Sequence, residues 1–176
     1  LRHLTGGVIR ANEYAIANSY AANLASGDLV TLAANGTVVR GTAGGTALGV
    51  FYGVEYIDND TGDVRFRKVW NYAQAAKANT PIKAYVYDDP NITYAVQTNG
   101  VFATTNVGEL ANVTIGTYNS TYGHSTDELD IATLATTAKV LRILRLIDYP
   151  DNAAGADASV EVVINLSLYG TQNAGV

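Results

Sequence analysis

The chain has 176 residues, 48% of them hydrophobic and 15% charged, with a formal net charge of -5. These totals describe one globular domain, or one domain with an arm, long enough to bury a sizeable core. The acidic balance and the scattered Lys and Arg argue against a phosphate-binding surface, so no nucleic-acid partner is expected. No run of about 18 apolar residues is present to span a bilayer as a helix, and no membrane partner is expected.

Cysteine is absent, which removes disulfides, thiolate nucleophiles and zinc–thiolate sites together. Methionine is absent too, so Leu1 is not expected to be the initiating residue. Freedom from both oxidisable sulfur residues suits a protein working outside a cell, and chance in a short chain explains it equally well.

Residues 1–26 are rich in Ala, Asn and Ser and poor in large aliphatics. Ala17, Tyr20, Ala21 and Leu24 could form a helical stripe, but Asn18, Ser19 and Asn23 are poor helix interior residues. The segment reads as an extended arm or edge strand lying on its own body or on a neighbour. Gly27–Ala33 and Thr37–Arg40 flank Asn35-Gly36, the dipeptide that favours a two-residue hairpin turn.

Leu48–Asp58 places Leu48, Val50, Tyr52, Val54 and Tyr56 on one face by period-two alternation. After the turn Asn59–Gly62, the return strand Asp63–Trp70 sets Val64, Phe66 and Trp70 on one face and Asp63, Arg65 and Arg67 on the other. This is a half-buried hairpin. Tyr72–Ala78 holds good helix formers for a turn or two. Pro81–Asp88 and Ile92–Gln97 read as strands across the turn Asp89-Pro90-Asn91, completing a central meander.

Gly100–Asp130 reads as long polar loops with one short strand near Val107–Ile115. Lys139–Asp148 is apolar on both faces, as a central strand would be. A helix over Leu134–Leu144 is the alternative, disfavoured by β-branched content. In Ser159–Tyr169, alternation turns Val160, Val162, Ile164, Leu166 and Leu168 inward. The fold class expected is all-β: a single compact barrel or sandwich over residues 27–176 with long loops, preceded by the extended arm at residues 1–26.

No catalytic residue, metal ligand or cofactor-binding residue is nominated, and no cofactor. His3 and His124 stand far apart in the sequence without ligand spacing. Gly123–Glu128 contains a base, a hydroxyl and two carboxylates, but sequence neighbours rarely converge on one atom, and a solvated loop is the reading preferred. Asp58–Asp63 begins like a calcium loop, yet Gly62 is fifth and Val69 twelfth, where the pattern wants Gly sixth and Glu twelfth. Twelve tyrosines stand against three phenylalanines. Tyr supplies apolar area with a hydroxyl, which suits a surface dry in complex and wet when free, although β-proteins also use Tyr as a strand former.

Gly27–Val30, Leu48–Tyr56, Ala84–Asn91 and Leu141–Leu146, with the terminal Val162–Asn165, resemble in order and spacing a family of capsid-associated structural proteins. These are head decoration (cement) proteins of tailed bacteriophages, especially marine ones. The resemblance spans roughly residues 14–168, and Tyr85–Asn91 is its most specific part. It implies a non-enzymatic β-barrel-like protein on the outer surface of the virion's icosahedral capsid, bridging capsomers. The partners implied are the major capsid protein and further copies of the chain, as trimers or dimers. Contact residues expected on this reading are Tyr14, Tyr20, Leu24, Tyr52, Tyr56, Arg65, Arg67, Trp70, Tyr85 and Tyr87. The competing class is a phage tail or cell-surface glycan-binding module, with its site in the Asn99–Asp130 loops.

Overall fold

Runs of β-branched and aromatic residues separated by Gly, Asn and Asp turns produce strands throughout a computed structural model that describes residues 1–7, 9–73 and 76–170. In chain order these are β1 (Arg2–His3), β2 (Ala11–Ile16), β3 (Leu24–Ala25), β4 (Leu29–Leu32), β5 (Val38–Arg40), β6 (Gly49–Ile57), β7 (Val64–Arg67) and β8 (Val69–Trp70). There follow β9 (Ile82–Tyr87), β10 (Thr93–Gln97), β11 (Leu110–Thr114), β12 (Tyr118–Asn119), β13 (His124–Ser125), β14 (Glu128–Ala135), β15 (Leu141–Leu146) and β16 (Ser159–Ile164). A 3-10 turn at Thr104–Asn106 is the only helical element among the described residues.

One six-stranded sheet runs β1-β10-β16-β15-β11-β14, and the other runs β2-β9-β6-β4-β5 with β7 also paired to β6. The protein is thus all-β and sandwich-like, and it is not a closed barrel. Each sheet has its own apolar core. Tyr94, Phe102, Leu129, Leu141, Ile143, Val160 and Val162 lie in the first, joined by Leu29 and Val50 from the second sheet. Leu24, Val30, Phe51, Val54, Tyr56, Trp70, Ile82 and Val86 fill the second.

The expected meander is divided between the sheets. β9 pairs with β2 and β6, whereas β10 pairs with β1 and β16. Asp89-Pro90-Asn91 does form a turn, with Ile92 N–H donating to the Asp89 carbonyl at 3.2 Å, but it carries the chain from one sheet to the other. Residues 1–26 lie on the chain's own body: β1 edges the first sheet, β2 edges the second, and β3 pairs with β8.

A register shift between Phe51 and Gly53 overturns the expected single face of β6. Phe51, Val54 and Tyr56 enter the second core and Val50 the first, while Tyr52 points outward. One extra residue reverses the alternation beyond it. The return strand also departs from expectation, with neither face of β7 buried. Val64 and Phe66 are 65% and 53% exposed, and only Trp70, beyond the break at Lys68, is buried.

Gly100–Asp130 carries more strand than expected, with β11, the β12–β13 hairpin and the start of β14. β15 is central, between β11 and β16, but buries one face only: Leu144 and Arg145 are exposed beside a register shift between Ile143 and Arg145. In the last strand Val160, Val162 and Ile164 are buried as expected, whereas Leu168 is exposed. The helical turn considered at Tyr72–Ala78 includes Gln74 and Ala75, which lie outside the described residues.

The Asn35-Gly36 hairpin joins β4 to β5. Gly36 has φ +78° and open space around the position a Cβ would take. A Gly36→Ala substitution therefore meets no clash, and its cost is that of a left-handed L-residue. Urea denaturation is expected to show a loss of about 1–2 kcal/mol.

Candidate functional site

β-Pleating directs alternate residues of β6, β7 and β9 to the outer face of the second sheet. Four rings meet there in a row. Tyr87 lies 5.3 Å from Tyr52, Tyr52 lies 6.0 Å from Phe66, and Phe66 lies 5.6 Å from Tyr85, each measured between ring centres and each pair tilted. His3 extends the row, 5.8 Å from Tyr87. Tilted rings at these distances gain from edge-to-face attraction, so the row is partly ordered before anything binds it. Gly53 makes it possible: a Cβ there would lie 2.8 Å from the Phe66 ring and 2.9 Å from the Arg67 carbonyl oxygen.

Charged groups border the aromatic row. The Tyr85 hydroxyl donates to Glu55 at 3.1 Å, and Lys83 donates to Glu13 at 3.1 Å while lying 3.8 Å from Glu55. Burial and then the Glu55 contact push the Tyr85 hydroxyl up from its ordinary pKa, so it stays a neutral donor at physiological pH. Arg65 reaches Asp58 and Asp63 loosely, at 3.7 and 3.9 Å. Arg67 and Lys68 make no ion pair among the described residues.

A groove of about 660 Å³ opens between the sheets at the Tyr87 end of the row. Tyr52 and Tyr87 form part of its wall together with His3, Gln97, His124 and Glu128. The two histidines, distant in sequence, thus share a cleft. Burial, with the nearby Lys68 charge, pushes His124 down from its ordinary value, which favours the neutral imidazole. Among the described residues no group of three or more His, Asp or Glu side chains stands together to hold a metal ion.

Behind the groove, Arg40 at the end of β5 is clamped between two buried carboxylates. Its guanidinium lies 2.6 Å from Asp28 and 2.5 Å from Asp127. Ala25 N–H donates to Asp28 at 2.7 Å and Gly116 N–H to Asp127 at 2.9 Å. The cluster ties the β4–β5 hairpin to the strand entering β14. Burial pushes the Asp28 carboxyl up to about 6, against the pull of Arg40. Asp127, expected in a solvated loop, is instead fully enclosed in this cluster. Nothing local marks Asp28, Arg40 and Asp127 as partners, since Arg40 and Asp127 are 87 residues apart.

Of the ten expected contact residues, Leu24, Tyr56 and Trp70 are core residues and cannot meet a partner. Leu24 pairs with Trp70 across β3 and β8, and Tyr56 stacks edge-on against Trp70 at 5.9 Å. Tyr14 and Tyr20 are half-buried and engaged inside the protein. The Tyr14 hydroxyl donates to Asp88, and the Tyr20 hydroxyl accepts from the Arg40 N–H. Tyr52, Tyr85 and Tyr87 gather on the outer face, joined by Phe66, which the sequence pattern had placed on a core-facing side. Arg65 and Arg67, paired opposite Tyr56 and Val54, lie on the other face of β7. Asn99 and Asp130, the ends of the alternative loop site, are tied together with Thr114 and Ile131.

This is a β-sandwich protein whose most distinctive surface is a row of aromatic rings. Comparison with protein-family models, with curated proteins and with solved structures finds no match to the chain.

Proposed function

We propose that the protein is a non-enzymatic structural protein that binds the outside of an icosahedral phage head and stabilises it by bridging capsomers. The observation carrying this reading is the Tyr87–Tyr52–Phe66–Tyr85 row on the outer face of the second sheet. Contiguous aromatic area, exposed at Tyr52 and Phe66 and bordered by charge, is the composition of a contact surface: rings supply buried area on docking, and the rim sets orientation. Each contact can be modest because a shell repeats it over many copies, and bridging two capsomers makes the second attachment effectively intramolecular. The resemblance of the strand and turn pattern to phage decoration proteins agrees with this function. The major capsid protein is then the partner, with further copies of the chain joining as trimers or dimers.

The test is occupancy on heads stripped of the protein. A double substitution Tyr52→Ala and Phe66→Ala removes the two most exposed rings of the row and no core contact. It is expected to lower apparent affinity at least tenfold, the effect of about 1.4 kcal/mol. Unchanged occupancy would remove the aromatic row from the contact.

The groove favours a second reading, a glycan-binding or adhesion module. Tyr52 and Tyr87 offer ring faces beside Gln97, His124 and Glu128, the mixture of flat apolar and planar polar groups that sugars use. Retention of bacterial surface glycans by protein that ignores phage heads would favour it.

A further inference from the structure

We propose that the free edge of β7 accepts an extended segment of a partner protein as an added antiparallel strand, and that this segment alternates apolar and acidic residues. The inference rests on the capsid reading only for who supplies the segment.

β7 pairs with β6 on one side alone. Val54 faces Arg67, Glu55 faces Phe66, Tyr56 faces Arg65 and Ile57 faces Val64, and Asp58 N–H donates to the Asp63 carbonyl at 2.9 Å. Hydrogen-bonded and non-bonded pairs alternate in an antiparallel ladder. Counting from the bonded pair Asp58–Asp63, the peptide groups of Arg65 and Arg67 turn toward β6, and those of Val64 and Phe66 turn away from it. No hydrogen bond to those outward groups is formed among the described residues. Two N–H groups and two carbonyls therefore form a docking edge of the kind used in strand addition.

The side chains define the partner. Val64 and Phe66 occupy one face and are more than half exposed; Arg65 and Arg67 occupy the other. An added strand would place its own alternate residues beside these two sets. Apolar residues would cover Val64 and Phe66, and carboxylates would answer Arg65 and Arg67. A second copy's β7 is disfavoured, because it would set Arg65 and Arg67 against like charges. Charges on an edge often serve to repel stray strands. That role alone does not account for two large apolar side chains left exposed between the arginines.

The test uses the folded chain and a capped synthetic peptide alternating Val and Asp, with a Val–Lys peptide as control. Amide exchange at Val64 and Phe66 is expected to slow about tenfold or more with the Val–Asp peptide, and less so at high salt. The Val–Lys peptide should leave it unchanged. Val64→Pro removes an outward donor without touching the β6 ladder, a position where an edge tolerates Pro, and should abolish the effect. Arg67→Glu should weaken it severalfold and stands as the independent variant if Pro disturbs the strand, which Arg65 and Arg67 amide protection would reveal. Unchanged exchange at Val64 and Phe66, equal binding of the Val–Lys peptide, or full binding by Arg67→Glu would overturn the inference. Those results leave head binding untouched, and a chain that ignores heads yet takes up the peptide would refute the capsid reading alone.

Discussion

Replacing Arg40 with Met is expected to destabilise the protein by about 3–5 kcal/mol at neutral pH, the usual consequence of leaving buried charge without its partner. Arg40 is the cation between Asp28 and Asp127, and its loss strands two carboxylates in a site closed to water. The Ser125 hydroxyl also faces Asp28 and softens the loss. The pH dependence gives the diagnostic sign. Burial already raises Asp28 from 3.8 to about 6, so the folded chain holds that proton more tightly than the unfolded one. The stabilisation from that proton is complete below about 3.8 and is lost as pH rises through about 6. Without Arg40 the pull that lowers Asp28 disappears, and the carboxyl takes up its proton at still higher pH. The deficit of Arg40→Met, measured by urea denaturation against the unsubstituted protein, should therefore shrink as pH falls from 7 toward 5. A deficit that is small at neutral pH, or constant over that range, would mean the cluster is not held by charge.

Gly49→Ala is expected to cost about 3 kcal/mol, although it adds a single methyl group. At this position a Cβ would stand 2.0 Å from the Tyr87 carbonyl oxygen and 3.0 Å from the Asp88 Cα. Both are backbone atoms at the end of β9, so the overlap can be relieved only by parting β6 from β9, the pairing on which the second sheet is centred. Overpacking against side chains usually costs about 1–3 kcal/mol, and an immovable backbone places this case at the top of that range. A melting temperature within error of the unsubstituted protein would show that β6 can shift without loss. Gly36→Ala, with no neighbour to strike, provides the comparison that separates close approach from turn geometry.

These two cases mark what the sequence could reveal. The Asn35-Gly36 hairpin was legible because its information is local: two residues with the right dihedral freedom between two apolar runs. The Asp89-Pro90-Asn91 turn was equally legible, but no local feature states whether the strands on either side pair or part. Their separation depends on β2 taking the edge of β9 and β1 the edge of β10. In β6, alternation was misleading because the register shift at Phe51–Gly53 adds one residue, and Gly53 gave no indication that the Phe66 ring would lie over it. The same shift hid part of the site. Tyr52 was expected as a contact residue, but on one face with Val54 and Tyr56, and Phe66 was set on one face with Trp70. In the fold Tyr52 and Phe66 both belong to the outer aromatic row, while Tyr56 and Trp70 are core.

Tyrosine abundance did point to that row, though not to which tyrosines form it. Tyr56, Tyr14 and Tyr20 share the local setting of Tyr52 and Tyr85, and all three are turned to the interior by tertiary packing. Asp28, Arg40 and Asp127 show the limit most plainly. Each would be ordinary on a surface, and only folding brings them together.

The measurement that tests the structural-protein reading most directly is co-sedimentation of the purified chain with phage heads lacking it, over a range of chain concentrations. Saturable binding at a fixed ratio to capsid subunits, lost in the Tyr52→Ala, Phe66→Ala protein, is the result expected. A chain that stays in the supernatant at every concentration while remaining folded would contradict the reading.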